Sequence, residues 1–181
     1  MRVFLAGGSG AIGRRLIPQL VGAGHQVAAT TRSEAKAPML QSLGAIPVVV
    51  DALDEPALSK AVNDFRPEAV MNQLTDLPQR YNPRQLGPFY ERTSRLRIEA
   101  TRTLLAAAKE VGARRFVYQS LAFMYVPAGP AALAEDAKLA LHAPEPFGSA
   151  VRATVEGERL ALCLLYTSDA ADEEDGVDPW G

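Results

Sequence analysis

Between Arg2 and Leu74, short apolar runs alternate with segments whose apolar side chains recur at helical spacing. RVFLAG, QVAATT, AIPVVVD and EAVMNQL read as strands, and AIGRRLIPQLVGAG, SEAKAPMLQSLG and EPALSKAVNDF as the helices between them. One helix between successive strands makes each pair parallel, because the crossover must return the chain to the same edge, and right-handed. DLPQRYNPRQLGPFYERTSRLR, rich in Pro and Arg, predicts a long loop running into a helix. From about Arg97, IEATRTLLAAAKEVGA is helical with Gly112 as its stop, and RRFVYQS follows as a fifth strand. The expected class is α/β, a Rossmann-like doubly wound parallel sheet in the order 3-2-1-4-5.

Beyond the fifth strand the regularity weakens. VPAGPAALAED is irregular, GSAVRATVEGERLALCLL reads as one more helix, and YTSDAADEEDGVDPWG has neither period nor basic residue. The pattern divides the chain into an incomplete nucleotide-binding domain over residues 1–162 and a disordered acidic tail over 163–181. CLLYTSDAADEEDGVDPWG resembles translated adapter sequence, so the tail is expected to be foreign to the native fold. The strands and cap that would form a C-terminal substrate-binding part are expected to be missing.

Composition changes the picture in two places. The net charge of −2 conceals a basic body, because Asp169, Asp172, Glu173, Glu174, Asp175 and Asp178 all follow Tyr166 with no Lys or Arg among them. A basic body suits an anionic small ligand. The arginines form no stripe with interleaved aromatics, so no nucleic-acid partner is expected. A lone Cys163 and two isolated histidines, His25 and His142, argue against a disulfide and a metal site. No apolar run is long enough for a membrane span and no leader precedes MRVFLAGG, which makes a cytoplasmic location the expectation.

The chemistry concentrates in AGGSGAIG, directly after the first strand and opening the first helix. Gly7, Gly10 and Gly13 fit one phosphate-loop spacing, and Gly8, Gly10 and Gly13 another. Either way, Gly7, Ser9, Gly10, Ala11, Ile12 and Gly13 would place backbone amides and a helix N-terminus against a pyrophosphate. A site for NAD would carry Asp or Glu at the end of the second strand, where this chain has Thr31, Arg32 and Ser33. Arg32 can pair with a ribose 2′-phosphate, and no carboxylate is expected there to repel that charge, so NADP is favoured over NAD. Asp51 and Ala52 end the third strand, where the carboxylate could accept from an adenine amino group or cap the next helix. Gln73 and Leu74, ending the fourth strand, complete the expected cofactor set. Tyr81 and Tyr90 could belong to a flap over the ligand or to a solvated loop.

At AGGSGAIGRRL, VVVDALD, EATRTLLAAAKEVGARRFVYQS and SLAFMY the chain resembles the extended or atypical short-chain dehydrogenase/reductase superfamily, which includes NAD(P)-dependent epimerases and dehydratases. The likeness runs from residue 1 to about residue 160. It implies a hydroxyl side chain after the fifth strand that bonds the reacting carbonyl, and a later Tyr-x-x-x-Lys that supplies acid and ammonium. Mapped onto this chain, the hydroxyl position falls on Leu121, with Ser120 one residue early. EPFGSAVRA places Phe147 at the tyrosine and Val151 at the lysine, with Arg152 adjacent. Ser120 and Tyr125 are the remaining catalytic candidates. The expectation is therefore an NAD(P)-binding oxidoreductase-like or epimerase-like protein with a degenerate site and a small-molecule substrate. The alternatives are a cofactor sensor without turnover, or an inactive fragment of a longer enzyme.

Overall fold

A computed structural model of the chain describes residues 1–76, 86–127, 133–134 and 136–168. Tyr81 and the acidic stretch 169–181 lie outside the described residues. Five parallel strands, β1 (Arg2–Ala6), β2 (Gln26–Thr31), β3 (Ile46–Val49), β4 (Ala69–Asn72) and β5 (Arg115–Tyr118), form one sheet in the order β3-β2-β1-β4-β5. This is the order expected from the sequence. Two crossovers carry the chain outward from β1 to β3, and the next returns it past β1 to β4. The reversal leaves a crevice at the carboxyl ends of β1 and β4.

Successive side chains of β1 point to opposite faces, and both faces are covered. Phe4 and Leu5 are each completely buried. On one face Phe4 joins Ala28, Val70 and Phe116 beneath Leu58, Val62 and Phe65 of α3 (Glu55–Phe65) and Leu104 and Ala108 of α5 (Thr101–Glu110). On the other, Leu5, Val27 and Ala29 pack under Ile17 of α1 (Gly13–Gly22) and Leu40 of α2 (Ala37–Ser42). Each of the larger side chains among them, Val, Leu, Ile or Phe, contributes about 1.5–3 kcal/mol on burial. Truncating Phe4 to Ala would cost about 3–5 kcal/mol, because both strand neighbours and α3 lean on it.

Helix ends explain where the chain turns. Asp54 caps α3 by accepting from the Ala57 amide at 3.1 Å, and Arg66 closes it in the left-handed region at φ 50°. The helix before β5 begins well ahead of Arg97. An α4 (Leu86–Arg95) runs through a π-helical turn (Leu96–Ala100) into α5. Gly87 and Pro88 make that start read as loop in the sequence, yet proline is tolerated in a first helical turn, where its missing amide has no intrahelical partner. The widened π turn places Leu96, Arg97 and Ala100 in the interior. β5 ends at Tyr118, ahead of the predicted Ser120, since Leu121 already caps a 3₁₀ turn at Ala122–Met124. The last helix, α6 (Phe147–Ser168), continues past Leu162.

Candidate functional site

The turn from β1 into α1 is held by contacts that only glycine allows. Gly7 has φ +91°, and a Cβ there would lie 2.6 Å from the Gln73 carbonyl oxygen. At Gly13 a Cβ would lie 2.5 Å from the Gly7 carbonyl oxygen, so the helix start sits directly on the turn. The Gly10 amide donates to the Gly7 carbonyl at 3.1 Å, and the Gly7 amide donates to Thr30 Oγ1 at 2.8 Å, which ties the turn to β2. Among the described residues the amides of Ser9, Ala11 and Ile12 find no acceptor within the protein. No acid stands in the first turn of α1. These amides and the helix dipole together present partial positive charge to the crevice.

A cleft of about 920 Å³ opens there, within the range of roughly 300–1,000 Å³ usual for small-molecule sites. Of the residues expected from sequence, Gly7, Ser9, Gly10 and Ala11 line it from the turn, Thr31 and Arg32 from β2, and Ala52, Gln73 and Leu74 from the ends of β3 and β4. Three expected residues do not line it. Ile12 is about half exposed at the head of α1, and Gly13 is buried beneath the turn. Asp51 is engaged elsewhere: Arg92 Nη2 donates to both its carboxylate oxygens, at 2.9 and 2.8 Å, and the Leu53 amide donates at 3.1 Å. Burial pushes the Asp51 carboxyl up, but the Leu53 amide and Arg92 outweigh it and hold the group below its ordinary 3.8. The cap of α3 is Asp54, so Asp51 does not take that alternative either.

Arg14, Lys36 and Asp76 were not among the residues expected from sequence. All three line the cleft beside Arg32. Among the described residues neither Arg14 nor Lys36 forms an ion pair with a carboxylate. Arg32 does: its Nη2 donates to Asp76 Oδ1 at 2.5 Å. The sequence-based expectation of no carboxylate near Arg32 is thus corrected, because β4 delivers one from 44 residues away. Arg14, one position past Gly13, and Lys36, in the short 3₁₀ turn after β2, were visible only as basic residues near motifs.

The carboxyl end of β5 is arranged differently. Ser120 is half-buried, and its hydroxyl faces Met124 Sδ at 3.8 Å. Tyr125 is half-buried in an isolated antiparallel bridge to Leu139. Neither lines the cleft. Arg97, only 3% exposed, braces the strand end by donating from Nη1 to the Tyr118 hydroxyl at 3.1 Å and the Gln119 carbonyl at 3.2 Å. Burial raises the Tyr118 phenol, and Arg97, which donates to its oxygen, opposes the rise. Phe147 stacks on Phe123 with centroids 6.1 Å apart, and Val151 is completely buried. Arg152 turns away to donate to Glu145, the Leu141 carbonyl and Ser149. Phe147 and Val151 thus carry neither a dissociable proton nor a charge, and the cation beside them, Arg152, is paired with Glu145.

Comparison with known proteins agrees with this geometry. The family model described as NAD(P)H-binding matches residues 7–157. A 3-diazoavenalumate denitrifying reductase from Streptomyces sp is 44% identical over 173 residues, covering 94% of this chain and 53% of that protein. Among solved structures, the UDP-glucose-4-epimerase of Stenotrophomonas maltophila with bound NAD superposes with a TM-score of 0.71 at 21% identity, over 92% of this chain and 49% of that one. Bordetella bronchiseptica WbmG in complex with NAD and UDP gives 0.68 at 19% identity, over 90% and 49%. The chain spans about half the length of that reductase and of both structures. The chain belongs to the NAD(P)H-binding family, on the Rossmann-like fold shared with the epimerases of the short-chain dehydrogenase/reductase type.

Proposed function

We propose that the cleft holds NADP(H) in preference to NAD(H), as the cofactor half of a reductase. One observation carries the preference: Arg14, Arg32 and Lys36 line a cleft that contains a single carboxylate among its described lining residues. The turn is as tight as such a ligand requires, since only glycine at positions 7 and 13 lets the end of β4 and the start of α1 pack directly against it. The amides of Ser9 and Ala11, which line the cleft, would bond the pyrophosphate oxygens, and Arg32 would pair with the 2′-phosphate. When bound, the nicotinamide supplies a hydride donor. The relative at 44% identity is named a reductase, which favours reduction over epimerisation for the longer protein.

Phe147 and Val151 cannot supply a proton or a charge, and a positioned general acid is worth roughly 10²- to 10⁴-fold. That observation also favours a second reading, in which the chain binds the cofactor without turning it over. The two separate in a hydride-transfer assay with NADPH and a panel of carbonyl acceptors. Retained NADPH with no consumption supports the sensor, and consumption supports the reductase. The cofactor preference is tested by fluorescence titration of Arg32→Asp. NADPH is expected to weaken by about ten- to a hundredfold while NADH is spared. Equal weakening of both would refute the pairing.

A further inference from the structure

We propose that Asp76 is a gate on the 2′-phosphate subsite: its carboxylate holds Arg32 until a 2′-phosphate takes the guanidinium, and then turns to Arg92. The inference rests on the dinucleotide reading above. It adds a residue that sets the ratio between phosphorylated and unphosphorylated cofactor.

Three features of the cleft carry it. First, Arg32 and Asp76 line the same cavity and are bonded to each other at 2.5 Å, so a phosphate reaching Arg32 meets a carboxylate already in place. Two anions cannot share one guanidinium edge without repulsion, and the carboxylate must move. Second, the carboxylate has somewhere to go. Its other oxygen, Oδ2, lies 3.4 Å from Arg92 Nε, near enough for attraction but not aligned as a hydrogen bond. That Nε is buried and has no hydrogen-bond partner. A buried unpaired donor on a cation is costly, and a small turn of Asp76 would satisfy it. Third, Arg92 is fixed. Its Nη2 is held by both oxygens of Asp51, so it waits in place rather than swinging to meet Asp76. Arg32 is the freer partner, with its side chain 52% exposed against 26% for Asp76.

The two cofactor forms meet this arrangement differently. A 2′-phosphate accepts from Arg32 and displaces Asp76 onto Arg92. A 2′-hydroxyl can instead donate to Asp76 and leave the Arg32 pair intact. Asp76 thus lowers the preference for the phosphorylated form below what Arg32, Arg14 and Lys36 would produce without it. Release of the gate also completes the Asp51–Arg92–Asp76 chain, which links the adenosine end of the cleft to α4.

Calorimetry on the full chain with 2′,5′-ADP and 5′-AMP isolates the subsite from the rest of the dinucleotide. Asp76→Asn is expected to raise the affinity ratio of 2′,5′-ADP to 5′-AMP by about fivefold, an effect that shrinks as salt is added. Asp76→Glu, which keeps the charge, is expected to stay within about twofold of wild type. Arg92→Gln removes the second resting place and is expected to lower the ratio. In the Asp76→Asn background that loss is expected to vanish, which separates the gate from the general loss of a cation. Melting temperatures confirm that each variant is folded, and Arg92→Gln alone still tests the gate if Asp76→Asn is not. An unchanged or lowered ratio in Asp76→Asn overturns the gate while leaving the dinucleotide reading intact. So does an Arg92→Gln loss that persists in the double variant. Failure of wild type to bind either nucleotide overturns both.

Discussion

Val151→Lys places an ammonium where the family resemblance expects a lysine, and the surroundings of Val151 decide what happens. Val151 is completely buried, and its helix neighbours Ala150, Ala153 and Thr154 are all 3% exposed or less. An ammonium placed there would be buried, and an uncompensated buried charge costs about 3–5 kcal/mol. For a domain of this size each kcal/mol moves the melting temperature by about 2–4 °C, so the expected fall is about 6–20 °C. The fall is expected to shrink as pH rises. Burial lowers the folded-state pKa of a lysine, so the penalty is largest where the ammonium is charged in both states and fades as the group deprotonates. Circular dichroism melts at pH 7 and at pH 9.5 measure both effects, with Val151→Met as the control for added length. A Val151→Lys variant melting within about 2 °C of wild type at pH 7 would refute the reasoning, since position 151 would then open onto water or an acid.

Other consequences follow from the same geometry. Gly13→Ala drives a methyl against the carbonyls of Gly7 and Gly8, at 2.5 and 2.6 Å, and the only relief is movement of the turn. It is expected to cost about 1–3 kcal/mol of stability and to abolish NADPH binding, both readable in one thermal-shift series with and without cofactor. The Glu145 carboxyl is held down from 4.5 to about 2 by the Ser149 hydroxyl and Arg152. Its contribution to stability is full above pH 4.5 and is lost as pH falls toward 2, so Glu145→Gln should flatten the acid limb of the stability curve over that window. An acid limb identical to wild type would show that the pair at the head of α6 contributes nothing.

Much of the architecture was legible because β1, β2 and β4 are buried on both faces and leave unbroken apolar runs, while α1, α3 and α5 bury one stripe each. The glycine turn was legible for the same local reason: Gly7 and Gly13 answer to contacts within the motif or to the strand beside it. The start of α4 was hidden because Gly87 and Pro88 are poor helix formers whose cost is offset by tertiary contact with α6. Asp76 was invisible to sequence reasoning for a different reason. Its proximity to Arg32 is created by the alignment of β2 and β4 on either side of β1, and no local pattern encodes a contact across two strands. That Phe147 and Val151 stand where the family resemblance expects a tyrosine and a lysine was readable from the sequence, whereas the engagement of Arg152 with Glu145 and Ser149 required the fold.

The most direct measurement is isothermal calorimetry of the full chain with NADPH and NADH in parallel at one ionic strength. Arg14, Arg32 and Lys36 around the cleft predict NADPH binding at least about tenfold tighter, the gap narrowing as salt is raised. Equal affinities, or tighter binding of NADH, would contradict the assignment of Arg32 to a 2′-phosphate.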